Sequence, residues 1–198
     1  MEVVSEKRST VRVLEGEVEV IQGAKRQSAT ANTSMAIMDD RIIPVADSAA
    51  IFQGDPDFIA WDAARGFKQS EKAASGMWGH GRRWSSVADA SALSGLALSS
   101  VQDSQEGGNI ATWNLVFADA GVYHLYVRHR TPDNVFDSMW LPEKFGSAPR
   151  VPFGQPPHDG SYGWREAGEF VVSEKRLGKS VAFSIGVREA GYVVDRLV

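Results

Sequence analysis

Residues 110–128, IATWNLVFADAGVYHLYVR, decide the fold. In the first half, Ala111, Trp113, Leu115 and Phe117 fall on one side of an extended chain. Asp119, Ala120 and Gly121 then make a turn, after which Tyr123, Leu125 and Val127 share a face. A two-residue period on both sides of turn residues is the pattern of β-strands with one buried face. Outward from there, residues 135–141, 169–173, 179–188 and 192–198 read as further short strands, the third with Val181, Phe183, Ile185 and Val187 in register. The nearest approach to a helical period, residues 86–98, is short. The expectation is an all-β chain, a two-sheet β-sandwich or jelly roll.

At 198 residues the chain has the length of one large domain, or one domain and a small appendage. Hydrophobic residues at 43% and charged residues at 23% exclude wholesale disorder. Lys plus Arg is 21 and Asp plus Glu is 25, a net charge of −4. That excludes a basic footprint over the whole domain, so neither nucleic acid nor an acidic membrane is an expected partner. No apolar run is long enough to span a bilayer. Without cysteine there is no disulfide scaffold, thiolate metal site or Cys nucleophile. Met1 is followed by Glu2, Ser5, Glu6, Lys7 and Arg8 with no apolar stretch, so a signal peptide is not expected. The chain is then either cytoplasmic or a piece of a longer exported polypeptide.

Residues 10–21, TVRVLEGEVEVI, alternate on both sides of Glu15-Gly16, which predicts a β-hairpin. Residues 22–50 are polar and Ala- and Ser-rich, as in a linker or irregular wrap. The expected organisation is therefore a hairpin arm and linker over residues 1–50 and a sandwich over 51–198. Two aromatic loops stand out in the latter. Residues 142–163 hold five of the chain's eight prolines, with Phe145, Phe153 and Tyr162, and Trp164 just beyond. Residues 75–84, SGMWGHGRRW, space Trp78, His80 and Trp84 with glycines. Long loops of this kind in a compact domain are often functional.

Residues 55–198 resemble the β-sandwich carbohydrate-binding modules of families 6 and 35 and their galactose-binding-like relatives. Four segments carry the likeness in order: Ala60-Trp61-Asp62, residues 119–128 (DAGVYHLYVR), residues 137–140 (DSMW), and residues 177–197, which end in REAGYVVDRL. The arm's T-V-x-V-x-E-G-x-V-x-V pattern resembles part of the repeat-rich β-domain of FecR-like periplasmic sensor proteins. The first resemblance implies non-catalytic binding of a polysaccharide or oligosaccharide at the loop end of the sandwich. It further implies an extracellular, cell-surface or periplasmic location, and a tethered catalytic domain as neighbour. By position it assigns Tyr162 and Trp164 as stacking rings, with Trp78 or Trp84 on the opposing loop. A sugar face packs its C–H groups on an aromatic plane while its rim needs hydrogen bonds. The resemblance also implies a structural calcium ion, for which Asp62 and Asp195 are the carboxylates present. Two departures stand against it: Val193 replaces an Asn that contacts sugar, and Ala60 replaces the first acidic ligand.

Other residues carry competing meanings. Trp61 and Trp113 lie in strand patterns and belong in the core. Trp140 is open between core and site. Tyr162, Trp164, Trp78 and Trp84 are either sugar platforms or loop anchors. Arg128 and Arg130 share a face near Asp133 and Asp137, which reads as an ion-pair network, or as a grip on an acidic sugar. The Arg82-Arg83 pair beside Trp84 poses the same choice. His80, His124, His129 and His158 have no zinc-site spacing. Glu166 and Glu169, three apart on a strand, are expected on opposite faces, which does not make a glycosidase pair. No nucleophile elbow, P-loop or zincin motif is present. The expectation is not an enzyme. The alternative to glycan binding is a structural or protein-interaction sandwich of a surface or envelope sensor protein.

Overall fold

The computed structural model describes residues 51–53, 58–70, 81–102, 108–131, 137–154 and 159–198, and the backbone of five strands between residues 9 and 45. Those strands are β1 (Ser9–Val13), β2 (Glu17–Gln22), β3 (Lys25–Thr30), β4 (Thr33–Met38) and β5 (Arg41–Val45). β1 pairs with β4, β4 with β5, and β2 with β3. The alternating residues around Glu15-Gly16 thus form strands that pair with later ones and not with each other. Alternation specifies an extended chain with two unlike faces; it does not choose the partner. The stretch expected as linker contributes β3, β4 and β5.

From residue 51 on, the chain builds two sheets. Their strands are β6 (Ile51–Phe52), β7 (Trp61–Asp62), β8 (Lys68–Gln69), β9 (Arg82–Ala88), β10 (Leu96–Gln102), β11 (Ile110–Val116) and β12 (Gly121–Arg130). They continue with β13 (Ser138–Pro142), β14 (Pro149–Gly154), β15 (Gly163–Val172), β16 (Ser180–Val187) and β17 (Val193–Leu197). The first sheet runs β15-β12-β17-β10-β9, with β7 beside β17. The second runs β14-β13-β16-β11-β6, with β8 beside β11. The fold is an all-β, two-sheet sandwich.

The core lies where strand parity puts it. In β11, Ala111, Trp113 and Leu115 are buried; in β16, Val181, Phe183, Ile185 and Val187 are buried; in β12, Leu125 and Val127 are. Trp61, Trp113 and Phe183 meet at ring-centroid distances of 5.6–6.3 Å. Trp113 also donates from Nε1 to the Arg65 carbonyl at 2.9 Å, so its one polar atom is matched.

Two details depart from the local sequence patterns. β11 and β12 are not a hairpin, because residues 117–120 carry the chain from the second sheet to the first. The buried Gln53 holds that arch: its Oε1 accepts from the Ala118 N–H and the Tyr123 hydroxyl, both at 3.0 Å. The Pro-rich stretch 142–163 is not all loop, since it contains β14, with Pro149 and Pro152 in it. Proline lacks the ladder donor and is tolerated there because β14 is the edge of its sheet.

Antiparallel pairing brings the starts of β13, β15 and β17 and the ends of β12, β14 and β16 to one end of the sandwich. The described part of that end carries the candidate site.

Candidate functional site

A cavity of about 310 Å³ opens at this end, lined by Asp137, Ser138, Pro152, Phe153, Gly154, Arg165 and Arg188. Each sheet contributes one wall. β13 and β14 bring Ser138 opposite Gly154, where a Cβ on Gly154 would collide with the Asp137 carbonyl. Glycine is required here for that close approach. Arg188 spans the wall: Nη1 donates to Ser138 Oγ and to Glu189 Oε1 at 3.2 Å, and its guanidinium lies 5.3 Å from the Trp140 ring centroid. Glu189 Oε2 in turn accepts from the Ser138 N–H at 2.8 Å and hydroxyl at 2.6 Å. Across the cavity, Arg165 donates to the Gly154 carbonyl and lies 5.7 Å from the Phe153 ring centroid. The result is an aromatic floor edged by guanidinium donors and one carboxylate, a lining suited to hydroxyl-rich ligands.

Behind Phe153 stands His129, 1% exposed, its ring stacked on Phe153 at 5.1 Å and its Nδ1 hydrogen-bonded to the Tyr192 hydroxyl. Burial, and then the Arg165 charge, push its pKa down to about 4. The imidazole is therefore neutral at physiological pH.

Trp164 follows Gly163 at the start of β15 and pairs across to Arg128, on the outer face of the first sheet. It is 50% exposed. Its neighbour Arg165 points to the other side, into the cavity. Tyr162 is placed differently. Arg128 and Arg130 cover its ring at 4.5 and 5.2 Å, and its hydroxyl donates to Asp89 Oδ2 at 2.7 Å. It packs beside Ala92, Ala97 and Val193. Tyr162, half-buried, anchors residues 89–95, as the loop-anchor alternative expects. Arg130 completes the anchor with an Nη2–Asp89 Oδ2 contact of 2.7 Å. Burial pushes the Asp89 pKa up, but hydrogen bonds from Tyr162, Arg130 and Ser91 outweigh it and hold the carboxyl below its usual value.

Trp84 is corrected. It lies in β9, not in a loop, and is 0% exposed among the core residues of both sheets. Arg82 donates from Nη1 to the Arg188 carbonyl at 2.6 Å, which ties β9 to the cavity wall. Arg83 is half-buried. Trp78 lies outside the described residues.

Asp62 and Asp195 do not come together as cation ligands. Asp62 accepts from Arg196 Nη2 at 2.7 Å and faces Arg65 Nε at 3.6 Å. Asp195 is 0% exposed, bridged by Arg128 and by the Leu93 N–H at 3.2 Å. Each carboxylate is already neutralised by a guanidinium. Among the described residues no three His, Asp or Glu side chains gather in a way that could hold a metal ion. The two-Asp donor set does not fit a calcium site.

Glu166 and Glu169 share the outer face, contrary to their spacing. β15 bulges at Ala167, so Glu166 pairs with Tyr126 and Glu169 with His124. His124 Nδ1 lies 2.8 Å from Glu166 Oε1; that hydrogen bond chiefly raises the imidazole pKa, with a smaller contribution from Glu169.

The chain matches no protein-family model and no curated protein. Among solved structures it is similar to an exo-β-1,3-galactanase from Phanerochaete chrysosporium, solved with galactose, with TM-score 0.47 and 10% identity. The match covers 83% of this chain and 32% of that one, so this chain spans about a third of the enzyme's length.

Sequence reasoning missed Arg165, Phe153 and Arg188 as cavity residues. Parity becomes a signal only once β15 is known to start at Gly163: Arg165 then alternates with Trp164, so one faces out and the other in. Arg188 and Glu189 stand in the REAGYVVDRL ending, where their shared hold on Ser138 has no sequence signature.

Proposed function

We propose that this chain is a non-catalytic, glycan-binding β-sandwich that holds a polysaccharide or oligosaccharide at its loop end. The supporting observation is Trp164: a half-exposed ring on the outer face of β15, one residue from the Arg165 that lines the cavity. The ring offers a stacking plane on the outer face, and on the other side of β15 the cavity separately offers N–H and carboxylate partners for hydroxyls. In this function the chain works outside the cell, at its surface or in the periplasm, as one module of a larger exported protein beside a catalytic domain. Single-site affinity is millimolar to micromolar, about −4 to −8 kcal/mol, and neighbouring modules add avidity.

The test is an array of neutral and uronic-acid polysaccharides, probed with the wild type and Trp164→Ala, in calcium and in chelator. The expected result is retention on at least one glycan, lost in Trp164→Ala and unchanged by chelator. Silence of the folded wild type across the array overturns it.

A second function is favoured by one observation. Of the four aromatic rings assigned to the site, Trp84 is fully buried and Tyr162 is half-buried beneath two arginines. A structural or protein-interaction sandwich of a surface or envelope sensor needs no free ring, and silence on the array selects it.

A further inference from the structure

The outer face of β12 and β15 is a ladder of paired side chains. Trp164 lies opposite Arg128, Glu166 opposite Tyr126, and Glu169 opposite His124. Cross-strand neighbours share a face. The residues of opposite parity turn inward, and Leu125, Val127 and Phe170 among them are buried. Trp164 therefore does not stand alone. Tyr126, 41% exposed, is its diagonal neighbour on the ladder, two positions along from Arg128. Such positions lie about 7–8 Å apart, within reach of aromatic side chains. Two rings in succession offer stacking planes to two units of a sugar chain that runs from the loop end across the sheet.

The charges around these rings have one dominant sign. Arg128, Arg130 and Arg196 are each held by a carboxylate, from Asp195, Asp89 and Asp62 in turn. Glu166 and Glu169 are exposed on the same face as the rings. His124 stands beside them, its Nδ1 2.8 Å from Glu166 Oε1. Among the described residues, this stretch of the ladder is thus negative when His124 is neutral. It stays negative when His124 is protonated, because one imidazolium offsets one of two carboxylates.

We propose that the preferred ligand is a chain of amino sugars with free ammonium groups, an inference that rests on the glycan-binding function above. The chain lies along β12 and β15, with sugar faces on Trp164 and Tyr126 and ammonium groups toward Glu166 and Glu169. An ammonium group is attracted both by carboxylates and by the negative faces of aromatic rings. A uronic acid is repelled by both. An N-acetylated chain keeps the stacking but carries no charge for the glutamates, so it binds more weakly.

The test titrates the full 198-residue chain at low salt with glucosamine, N-acetylglucosamine and galacturonic acid oligomers of equal length. The glucosamine oligomer is expected to bind about fivefold or more tighter than the N-acetylated one, and the uronic oligomer not to bind. The double variant Glu166→Gln/Glu169→Gln should bring the first two level, and Trp164→Ala should lose both. Equal or weaker binding of the glucosamine oligomer, binding of the uronic one, or an advantage that survives in the double variant would overturn the proposal. So would glucosamine binding unchanged in Trp164→Ala, which would mark a general attraction to an acidic protein. Silence toward all three oligomers also overturns it, while retention on any glycan of the array then keeps glycan binding itself.

Discussion

Trp84 and Trp164 show how strand parity separates two identical side chains. Both stand next to glycine-rich sequence, and both had the credentials of a loop platform. β9 begins at Arg82, which gives Trp84 an inward position, while the start of β15 gives Trp164 an outward one. Parity was legible in neither case without the strand boundary, and Val87 obscured it further. Val87 is an apolar residue on the outer side of β9, packed with Ala92, Ala97 and Val193. Trp84→Ala is expected to cost about 3–5 kcal/mol in denaturant unfolding, from lost burial and a cavity. Trp164→Ala should leave stability within about 0.5 kcal/mol. His129 supplies a pH dependence. Its folded-state pKa is about 4 against an ordinary 6.5, so the unfolded chain takes up the proton first as pH falls. Its contribution is complete above about pH 6.5 and is lost between there and about pH 4. The span is on the order of 3 kcal/mol. Stability of His129→Gln, measured across that range, should show a correspondingly shallower fall than the wild type.

At the scale of elements, the turn between β9 and β10 is held to the outer face of the first sheet by the Asp89–Arg130 ion pair and by the Leu93 N–H on Asp195, whose carboxylate Arg128 also bridges, with Tyr162 beneath both arginines. The sequence offered Arg128 and Arg130 as an ion-pair network, and the structure builds one. The partners found are Asp89 and Asp195, which sheet order brings in from far along the chain, while Asp133 lies outside the described residues. Tyr162→Phe removes one hydrogen bond to a carboxylate and keeps the ring under its arginines. A loss of about 1–2 kcal/mol in thermal or denaturant unfolding is expected. Since Asp89 is held below its ordinary value, that loss should be present at neutral pH and shrink as pH falls through the carboxylate range. β14 was obscured for another reason: five prolines in 142–163 argue against a strand, and only its edge position makes Pro149 and Pro152 admissible.

For the whole molecule, the period-two pattern of β11, β12 and β16 was enough to read two sheets and most of the core between them. Pairing partners were not legible. The arch at 117–120 joins different sheets where the local pattern reads as a hairpin, and β1 and β2 separate to pair elsewhere. Such choices are settled by burial over long sequence distances, which no local window contains. The candidate site shares this character, because its cavity needs Ser138, Phe153, Arg165 and Arg188 from separate strands and loops. Trp164, the feature on which glycan binding turns, was visible from the start.

The most direct test is affinity electrophoresis of the wild type and Trp164→Ala, side by side, through gels containing neutral or uronic-acid polysaccharides. The prediction is that the wild type is retarded by at least one polysaccharide, while Trp164→Ala, with an unchanged melting temperature, runs freely. Free migration of the wild type in every gel, or equal retardation of the two proteins, would contradict glycan binding through Trp164.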